Sequence, residues 1–330
     1  MKIVQLLHGD GWGGMEKFCI DLSNRLAQDH EVMLIADPVF KEACSNRVRF
    51  VPLDIGRSRY SPVLLYRLYR DIKRFGADIV QVHKQKSIYM MKVLSPLLGV
   101  PFIVTKHDMQ RKKAFDGLRY AVTISDEVSK TVRAEKLFKI YNGVPLEKAN
   151  RIEMPKGFNI VAVGGLREVK GFDRLIEAVS QLPFEYHLSI LGEGSERSRL
   201  EALIEDLGVG KHVSLVGFCR NVPDYLHSAD LQVISSYSEG FSLAMVEGIF
   251  YAPILLSTKV SGSTEILPDA LLYDIEALRD KIVDVYQNKD YYERIFAQTK
   301  EQYHDVLTMD HCVRAYENAY AEVVEDYRVR

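Results

Sequence analysis

The chain has 330 residues, enough for about two domains of ordinary size. Hydrophobic residues make up 47% of it and charged residues 27%, which is the composition of a soluble globular protein. This composition excludes collagen-like, disordered and small disulfide-rich proteins.

Charge is divided unevenly along the sequence. Residues 1–145 contain 24 Lys and Arg against 15 Asp and Glu, a net charge of +9, whereas the remainder carries a net charge of −11. A basic first half can attract an anionic lipid surface or a phosphorylated acceptor. Two domains whose solvated faces differ in charge would explain the same numbers.

The cysteines and apolar runs bear on the compartment. The four cysteines are Cys19, Cys44, Cys219 and Cys312. They lie far apart without a C-x-x-C spacing, which disfavours a disulfide framework or zinc site and favours a reducing compartment. The apolar run Ile3–Leu7 is too short for a signal peptide. The stretch Ile88–Val104 is interrupted by a lysine, two prolines and a glycine, so no membrane span is predicted.

Strands and helices alternate through the first half. Apolar runs predict strands, and apolar residues spaced three and four apart predict helices. In chain order we predict strand Lys2–Leu7, helix Met15–Ala27, strands Glu31–Ala36 and Val48–Val51, a helix through Leu64–Ile72, and strands Ile79–Val82, Phe102–Thr105, Ala121–Ile124 and Lys139–Pro145. This alternation predicts right-handed βαβ units and a parallel sheet.

The alternation resumes after a polar segment, residues 146–157, which is predicted to be a linker. In chain order the second half predicts strand Asn159–Val163, helix Phe172–Leu182, strand His187–Leu191, helix Arg197–Leu207, strand Val213–Val216, helix Val222–His227, strand Leu231–Ile234, helix Ser242–Phe250 and strand Ile254–Ser257. The tail from Ile275 onward is predicted to be helical.

These patterns predict an α/β fold with two Rossmann-like domains that face a cleft. The predicted boundaries are 1–148 and 149–305, with a C-terminal helix in 306–330 that packs back toward the first domain. Open parallel sheets bind ligands beyond the carboxyl ends of their strands. The loops that follow strands are therefore the candidate sites.

The first such loop follows strand Lys2–Leu7. Gly9, Gly11 and Gly14 satisfy G-x-G-x-x-G, the dinucleotide fingerprint, and Asp37 lies where a ribose-binding acid would stand. A nicotinamide-dependent enzyme is therefore one interpretation. A glycine-rich loop before a helix equally lets a sugar or phosphate approach the backbone. A tight turn alone would also use glycine.

A second loop joins a strand to a helix between Glu239 and Glu247. The backbone N–H groups of Gly240, Phe241, Ser242 and Leu243 begin this helix and could receive a diphosphate. The two flanking carboxylates could hold hydroxyl groups of a sugar and of a ribose. The alternative is that Glu247 simply lies on a solvated face of the helix, but the residues around Glu247 are apolar.

A third loop, residues 164–171, reads GGLREVKG and opens another helix. Its cations, Arg167 and Lys170, could neutralise a departing diphosphate. A lysine at a helix start is mildly unfavourable with the helix dipole, which favours an anionic ligand there.

Taken together, these loops resemble glycosyltransferase family 4, whose members have the GT-B fold and use nucleotide sugars with retention of configuration. The resemblance covers nearly the whole chain. It rests on Gly13-Gly14-Met15-Glu16, Thr105-Lys106-His107-Asp108, Val163–Gly171, Leu191-Gly192-Glu193-Gly194, Glu239-Gly240-Phe241 with Glu247, and Gly262-Ser263-Thr264-Glu265-Ile266. The Glu-x7-Glu element is the most specific of these.

The resemblance implies a role for each matching residue. Glu239 and His107 would contact the donor sugar, and Glu247 the ribose; Arg167 and Lys170 would contact the diphosphate, and Phe218 and Arg220 the base. The catalytic residues would be Glu239, His107 and Lys170. The remaining donor-binding positions would be Gly13, Gly14, Gly165, Gly240, Phe241, Ser242 and Leu243. Two positions depart from the family pattern. Gly165 stands where the family often has arginine, which weakens the expectation for Arg167, and Ala252 stands where glycine is usual.

The implied reaction transfers a hexose from a nucleoside-diphosphate sugar, expected to be a UDP-sugar, to an acceptor hydroxyl. The family implies that the leaving phosphate accepts the acceptor's proton. Because no D-x-D occurs in the chain, no catalytic metal is expected, and no cofactor beyond the donor. A structural histidine at a strand end remains the alternative explanation for His107.

The acceptor is expected to be a saccharide or glycolipid, as in bacterial lipopolysaccharide-core or surface-polysaccharide biosynthesis. The expected location is cytoplasmic, with peripheral docking on an anionic membrane and no nucleic-acid partner. Basic and aromatic residues that could serve this docking are Arg57, Arg59, Tyr60, Arg67, Arg70, Lys73, Arg74, Lys84, Lys86, Lys92, Arg111, Lys112 and Lys113. The alternatives left open are a nucleotide-sugar epimerase of the same fold, a nicotinamide-dependent dehydrogenase and a non-catalytic binding protein.

Overall fold

The computed structural model describes residues 1–9, 11–53, 56 and 58–329. Asp10 in the first glycine-rich loop and Arg57 in the basic set lie outside the described residues. The chain forms two compact units. The first combines Met1–Pro145 with Thr308–Arg330, and the second is Leu146–Leu307. The second unit is thus inserted into the first.

The strands, in chain order, are β1 Lys2–Leu7, β2 Glu31–Ala36, β3 Arg49–Pro52, β4 Ile79–His83, β5 Phe102–Lys106, β6 Asp116–Thr123, β7 Arg133–Lys139, β8 Phe158–Val163, β9 Tyr186–Leu191, β10 Val213–Gly217, β11 Leu231–Ile234, β12 Leu255–Thr258 and β13 Leu272–Tyr273. The α-helices are α1 Gly14–Leu26, α2 Pro62–Phe75, α3 Gln85–Leu98, α4 Asp126–Ser129, α5 Phe172–Val179, α6 Arg197–Asp206, α7 Val222–Ser228, α8 Leu243–Tyr251, α9 Ser263–Ile266, α10 Leu278–Gln287, α11 Lys289–Tyr303 and α12 Met309–Val329.

The first unit contains a parallel sheet of seven strands in the order β3-β2-β1-β4-β5-β6-β7. The interior strand β1, third in this order, is buried from Ile3 onward and pairs Leu6 with Ile35 of β2 on one side and with Val82 of β4 on the other. Helices such as α2 cover the sheet with an apolar stripe (Leu64, Leu68 and Ile72 are buried). The long helix α12 packs against α1 and completes this unit.

The second unit contains a parallel sheet of six strands in the order β10-β9-β8-β11-β12-β13. Strand β8 is central, and Ile160 pairs with Leu188 of β9 and Leu231 of β11. If the strands of each unit are numbered from its own first strand, the first six strands of both sheets have the order 3-2-1-4-5-6. The predicted α/β class with parallel sheets and a helical C-terminal region is confirmed.

Several segments of the first unit differ from the sequence prediction: β6 begins at Asp116 and not at Ala121, the short helix α4 was not predicted, and two further differences are larger. The prediction of a strand at Lys139–Pro145 is wrong, because the strand in this region, β7, runs from Arg133 to Lys139. Exposed and partly buried residues alternate along β7, as is common on an edge strand. It therefore has no apolar run of the kind that predicts a buried strand. The apolar stretch from Ile88 contributes most of α3, which accommodates Pro96 near its C-terminal end.

None of the helices in the described part of the chain combines the length and the apolar composition that crossing a bilayer requires.

Candidate functional site

Each sheet has one point at which the strand order reverses. In the first unit it lies between β1 and β4, and in the second between β8 and β11. Loops that leave neighbouring strands in opposite directions open a crevice at the carboxyl end of the sheet, where ligands bind in such folds. We therefore describe the side chains that meet at these two points.

At the reversal in the second unit, the loop after β8 meets the loop after β11. Lys170 Nζ lies 2.5 Å from Glu239 Oε1, and the same carboxylate oxygen accepts a hydrogen bond of 2.7 Å from Ser236 Oγ. Both charged side chains are largely buried, with 14% and 13% of their surface exposed. The structure thus brings together two residues that were predicted from sequence to be catalytic.

The backbone fixes Lys170 in place. Ser235 Oγ donates a hydrogen bond to the Lys170 carbonyl, and the Tyr237 N–H donates to the Val169 carbonyl. Gly171, the next residue, has a φ of +62°, and a Cβ there would overlap the Ser235 carbonyl oxygen. The sharp exit from the loop and the tight contact between the loops both require glycine here.

Helix α8 begins beside Glu239. Ser242 caps it by accepting a hydrogen bond from the Met245 N–H, and Ser261 Oγ donates to the Gly240 carbonyl. Phe241 is buried against Gly262, so the turn before the helix is held on two sides. Leu243 is the first helical residue. Glu247 lies in the second turn and is buried, which supports a specific role over a solvated helix position.

The other predicted donor-binding residues of the second unit stand apart from the Lys170–Glu239 pair. Gly165 lies against the Glu193 carbonyl, and Arg167 is exposed. Phe218 is 60% exposed and Arg220 is exposed, both just beyond the end of β10. Within the described residues, neither arginine forms a hydrogen bond or ion pair with Lys170 or Glu239.

The reversal in the first unit also carries a lysine and a glutamate. Lys84, directly after β4, places Nζ 2.5 Å from Oε1 of Glu16 on α1. Only 7% of the Glu16 side chain is exposed. A Cβ on Gly9 or Gly13 would come within 2.9 Å of this carboxylate. The glycine-rich loop therefore admits Glu16, which explains part of the spacing that also matched the dinucleotide fingerprint.

Gly13 and Gly14 stand at the start of α1, Gly13 as the residue before the helix in an extended conformation (φ of −156°) and Gly14 as its first residue. Asp37, the candidate ribose-binding acid, instead caps the short 3₁₀ helix that follows it. Its Oδ1 accepts a hydrogen bond of 2.9 Å from the Val39 N–H.

An open pocket of about 620 Å³ lies at this end of the first sheet. Its lining residues are His8, Met15, Arg59, Lys84, Gln85, Lys86, Thr105, His107, Asp108, Lys112 and Phe115. His107 follows β5, as predicted. The sequence placed Lys84 only among the basic residues that could serve membrane docking, yet it is the only non-glycine residue in the described part of the chain with positive φ (69°). Such strained backbone is concentrated at functional sites, but only the structure reveals it.

A chain of hydrogen bonds runs from His107 into the core of the first unit. His107 Nε2 lies 2.9 Å from His83 Nδ1, and His83 Nε2 lies 3.0 Å from Gln5 Oε1. Because an amide oxygen only accepts, His83 carries its proton on Nε2 and accepts at Nδ1. His107 must then donate from Nε2, which leaves its Nδ1 unprotonated.

The chain continues through two buried amides. Gln5 Nε2 donates to Gln81 Oε1 (2.9 Å) and to the Tyr320 hydroxyl (3.2 Å). Tyr320 belongs to α12 and donates in turn to Gln81 Oε1. Gln81 Nε2 donates to Thr105 Oγ1 (2.7 Å). Helix α12 thus helps to orient the groups that support His107.

The pocket environment keeps both histidines neutral. Burial, followed by the positive charges of Lys106 and Lys84, lowers the pKa of His107 to about 3. Burial also lowers the pKa of His83 well below its ordinary value. Hydrogen bonds and charge from Lys106 and Lys112 outweigh the opposing effect of burial and lower the pKa of Asp108, which therefore stays ionised.

Comparison with known proteins identifies the family. The sequence profile described as Glycosyltransferase Family 4 matches residues 12–148, and the profile described as Glycosyl transferases group 1 matches residues 147–302. The chain belongs to glycosyltransferase family 4. It is accordingly a glycosyltransferase with the GT-B fold, and the dehydrogenase and epimerase alternatives are set aside.

Several relatives agree with this assignment. The chain is 26% identical over 255 residues to an uncharacterized glycosyltransferase of Methanocaldococcus jannaschii, covering 70% of this chain and 71% of that protein. It is 22% identical over 293 residues to the lipopolysaccharide core biosynthesis glycosyltransferase LpsD of Rhizobium meliloti, covering 83% and 84%. The crystal structure of Anabaena Alr3699/HepE in complex with UDP-glucose has the same fold, with a TM-score of 0.82 and 19% identity over 99% of this chain and 100% of that one.

Proposed function

We propose that this family 4 glycosyltransferase transfers a hexose from a UDP-sugar to a saccharide or glycolipid acceptor, with retention of configuration. The observation that carries the proposal is the contact between Lys170 and Glu239 at the strand-order reversal of the second unit. A cation suited to a diphosphate and a carboxylate suited to sugar hydroxyl groups meet there beside the start of α8.

The barrier in such a transfer is charge separation between an oxocarbenium-like sugar and a departing diphosphate. Lys170 and the first N–H groups of α8 would stabilise the developing negative charge. Removing one preorganised donor of this kind typically costs ~10²–10³ in rate. Glu239, already desolvated and oriented by Ser236, would accept hydrogen bonds from the sugar ring.

The remaining donor contacts follow from positions along the same edge of the sheet. Glu247 would accept hydrogen bonds from the ribose, and the exposed ring of Phe218 offers a face to the base. Arg167 would contact the diphosphate and Arg220 would border the base, and both side chains are exposed. The UDP-glucose complex of Anabaena HepE, which shares the fold, supports the choice of a UDP-sugar.

For the proton of the acceptor hydroxyl, the leaving phosphate would serve as base, as front-face retention allows. His107 is suited to a different task. The ring is neutral, and its unprotonated Nδ1 would accept a hydrogen bond from a substrate hydroxyl. Because the pKa of His107 is low, the ring would not take the proton away from that hydroxyl as a general base. No metal ion or cofactor beyond the donor is required by this scheme.

The acceptor is proposed from the relatives and from charge. LpsD acts in lipopolysaccharide core biosynthesis, which favours a lipopolysaccharide or surface-polysaccharide acceptor. The excess of basic residues in 1–145 favours peripheral docking on the cytoplasmic face of an anionic membrane. Co-sedimentation with anionic vesicles at low salt should detect this docking, and absence of binding would contradict it.

Two substitutions test the donor site. Lys170→Ala and Glu239→Ala should each lower UDP release from UDP-glucose in the presence of acceptor by at least about tenfold. The exposed residues Lys156 and Glu205 provide matched controls, Lys156→Ala and Glu205→Ala, that should retain activity. Unchanged melting temperatures would show that folding is intact, and near-normal turnover of both site variants would refute the assignment.

Thermal-shift measurements with a panel of nucleotide sugars would test the donor itself. We expect UDP-sugars to raise the melting temperature more than ADP- or GDP-sugars, because binding to the folded state stabilises it. Chromatography or NMR of the product would then report whether the anomeric configuration is retained.

A further inference from the structure

We propose that Gln5 is a positioning residue for sugar transfer, because it fixes which ring nitrogen of His107 carries the proton. It acts through His83, and its own side chain is held by Gln81 and Tyr320. The inference rests on the proposed function, since it takes His107 as a contact of the donor sugar. It goes beyond that function by giving a role to a fully buried amide that no substrate touches.

Gln5 is a polar residue at a position where the fold favours an apolar one. It lies in the middle of β1, its side chain is fully buried, and the residues before and after it are apolar. Gln81 is its direct partner on β4 and is equally buried. Burial of an amide is unfavourable unless its hydrogen bonds are made, and a leucine would avoid that requirement. The paired amides therefore indicate a task that apolar side chains cannot perform.

The neighbours of Gln5 use both of its amide hydrogens. Gln5 Nε2 donates to Gln81 Oε1 (2.9 Å) and to the Tyr320 hydroxyl (3.2 Å). Gln81 is oriented in turn, since its Nε2 donates to Thr105 Oγ1 (2.7 Å) and its Oε1 also accepts from Tyr320. Turning the Gln5 amide alone by half a rotation would place its oxygen against Gln81 Oε1, and neither oxygen carries a hydrogen. The Gln5 oxygen is therefore held toward His83.

This oxygen sets the protons of two histidines in succession. Gln5 Oε1 lies 3.0 Å from His83 Nε2 and can only accept, so His83 keeps its proton on Nε2. The bare Nδ1 of His83 lies 2.9 Å from His107 Nε2 and also accepts. Burial lowers the pKa of His83 well below its ordinary value, so the ring does not gain a second proton that would reverse this order. His107 therefore keeps its Nδ1 free of a proton, as an acceptor for a sugar hydroxyl.

The variant Gln5→Met removes this control and leaves the rest of the network paired. Methionine is an unbranched apolar side chain that adapts to the space of a glutamine. Gln81 Nε2 still has Thr105 as its acceptor, and the Tyr320 hydroxyl still has Gln81 Oε1. Among the hydrogen bonds that the structure describes here, the one from His83 Nε2 is the donor bond that loses its acceptor. We therefore expect this variant to fold.

The loss at His83 should pass to His107. A buried N–H group is seldom left without an acceptor, whereas an unused acceptor is better tolerated. His83 should therefore move its proton to Nδ1 and donate to His107 Nε2. His107 must then carry its own proton on Nδ1, where it donates instead of accepting. The loss of one hydrogen bond to the sugar in the transition state corresponds to a rate lower by about fivefold.

The test compares the full wild-type chain with Gln5→Met and with Tyr316→Phe as a matched control. Tyr316 is also fully buried on α12, and its hydroxyl lies 3.4 Å from Thr105 Oγ1, at the far end of the network. Nitrogen-15 NMR of the imidazole rings, assigned with His107→Gln, should find the His107 proton on Nδ1 in Gln5→Met and on Nε2 in Tyr316→Phe. UDP release from UDP-glucose should fall by about fivefold in Gln5→Met alone.

Binding of UDP separates this inference from the proposed function. The calorimetric affinity for UDP should be the same in all three proteins, because the proposed UDP contacts lie in the second unit. Absence of UDP binding to the wild type would refute the donor site, whereas the position of the His107 proton would still report on Gln5. A His107 proton that stays on Nε2 in Gln5→Met would overturn the proposal, and so would a moved proton with unchanged UDP release. Equal loss of UDP release in Tyr316→Phe would leave Gln5 a structural role only.

A second variant keeps the proposal testable if Gln5→Met melts at a much lower temperature than the wild type. His83→Phe keeps a planar ring and removes the acceptor of the His107 Nε2 hydrogen. The His107 proton should again be found on Nδ1, and UDP release should fall to a similar extent. A proton that remains on Nε2 in His83→Phe would show that the buried chain does not control His107.

Discussion

Lys170 and Glu239 form a partly buried ion pair, although 69 positions separate them in the chain and they leave different strands. The pair occupies the place where we propose that the donor diphosphate binds. A ligand that uses Lys170 must therefore compete with Glu239, and this competition has opposite consequences for binding and for transfer.

Glu239→Gln should separate these two effects. Without the carboxylate, Lys170 is released and a repulsive charge is removed, so UDP should bind roughly fivefold more tightly, the equivalent of about 1 kcal/mol. Sugar transfer should nevertheless fall at least about tenfold, because the contact with the sugar is weakened. Calorimetric titration and UDP-release assays measure the two quantities. Glu168→Gln, an exposed change in the same loop, is the control. Weaker UDP binding in Glu239→Gln would contradict the competition.

Gly171→Ala should disturb the same site through the backbone. Alanine in the left-handed region costs about 1–2 kcal/mol, and its Cβ would also overlap the Ser235 carbonyl. Gly208 has a similar φ of +67° with no atom within 4 Å of a Cβ, so Gly208→Ala carries the first cost alone. Urea unfolding should show a larger loss for Gly171→Ala, together with reduced transfer. Equal losses would mean that the loops separate easily.

The buried His83 and the partly buried His107 should make stability depend on pH. Their folded-state pKa values lie below the ordinary 6.5, to about 3 for His107, so the unfolded chain binds more protons between these values. The free energy of unfolding should therefore rise as pH increases from about 3 to 6.5, by on the order of a few kcal/mol, and this contribution should be complete above pH 7. Urea titrations at several pH values would measure it. His107→Gln should flatten the rise, and an unchanged slope would refute burial of a neutral ring.

The protonation pattern of His107 is itself measurable. The hydrogen bonds to His83 and Gln5 require a proton on Nε2 and none on Nδ1. Nitrogen-15 NMR of the imidazole rings, assigned with His107→Gln, should find this tautomer at neutral pH. A proton on Nδ1 would mean that the buried amides run in the opposite direction, and that His107 donates to its ligand.

Much of the architecture could be predicted because buried strands consist of apolar runs. The same runs locate strand ends, so the sequence alone places Lys170, Glu239 and His107 in loops at the carboxyl ends of parallel strands. Strand β7 was not predicted, because exposed and partly buried residues alternate along this edge strand and it has no apolar run. Helix α3 was not predicted, because it contains Pro96 and because its long apolar stretch shows no clear helical spacing of apolar and polar residues.

The pocket of the first unit could not be predicted in the same way. The importance of Lys84 depends on its backbone angle and on Glu16, which is 68 positions earlier. In the sequence Lys84 is one of many basic residues, and its place in the pocket becomes visible only when residues from several loops come together. Likewise, nothing in the local sequence connects Gln5 with Tyr320.

That last connection has a consequence for biosynthesis. Strand β1 leaves the ribosome more than 300 residues before α12, the helix whose Tyr320 hydroxyl satisfies the buried Gln5 of β1. Translation therefore completes the second unit before the first can close, and the nascent amino-terminal sheet must wait with an unfinished face. A stop codon or frameshift ahead of α12 would accordingly damage a sheet whose strand β1 was made more than 300 residues earlier.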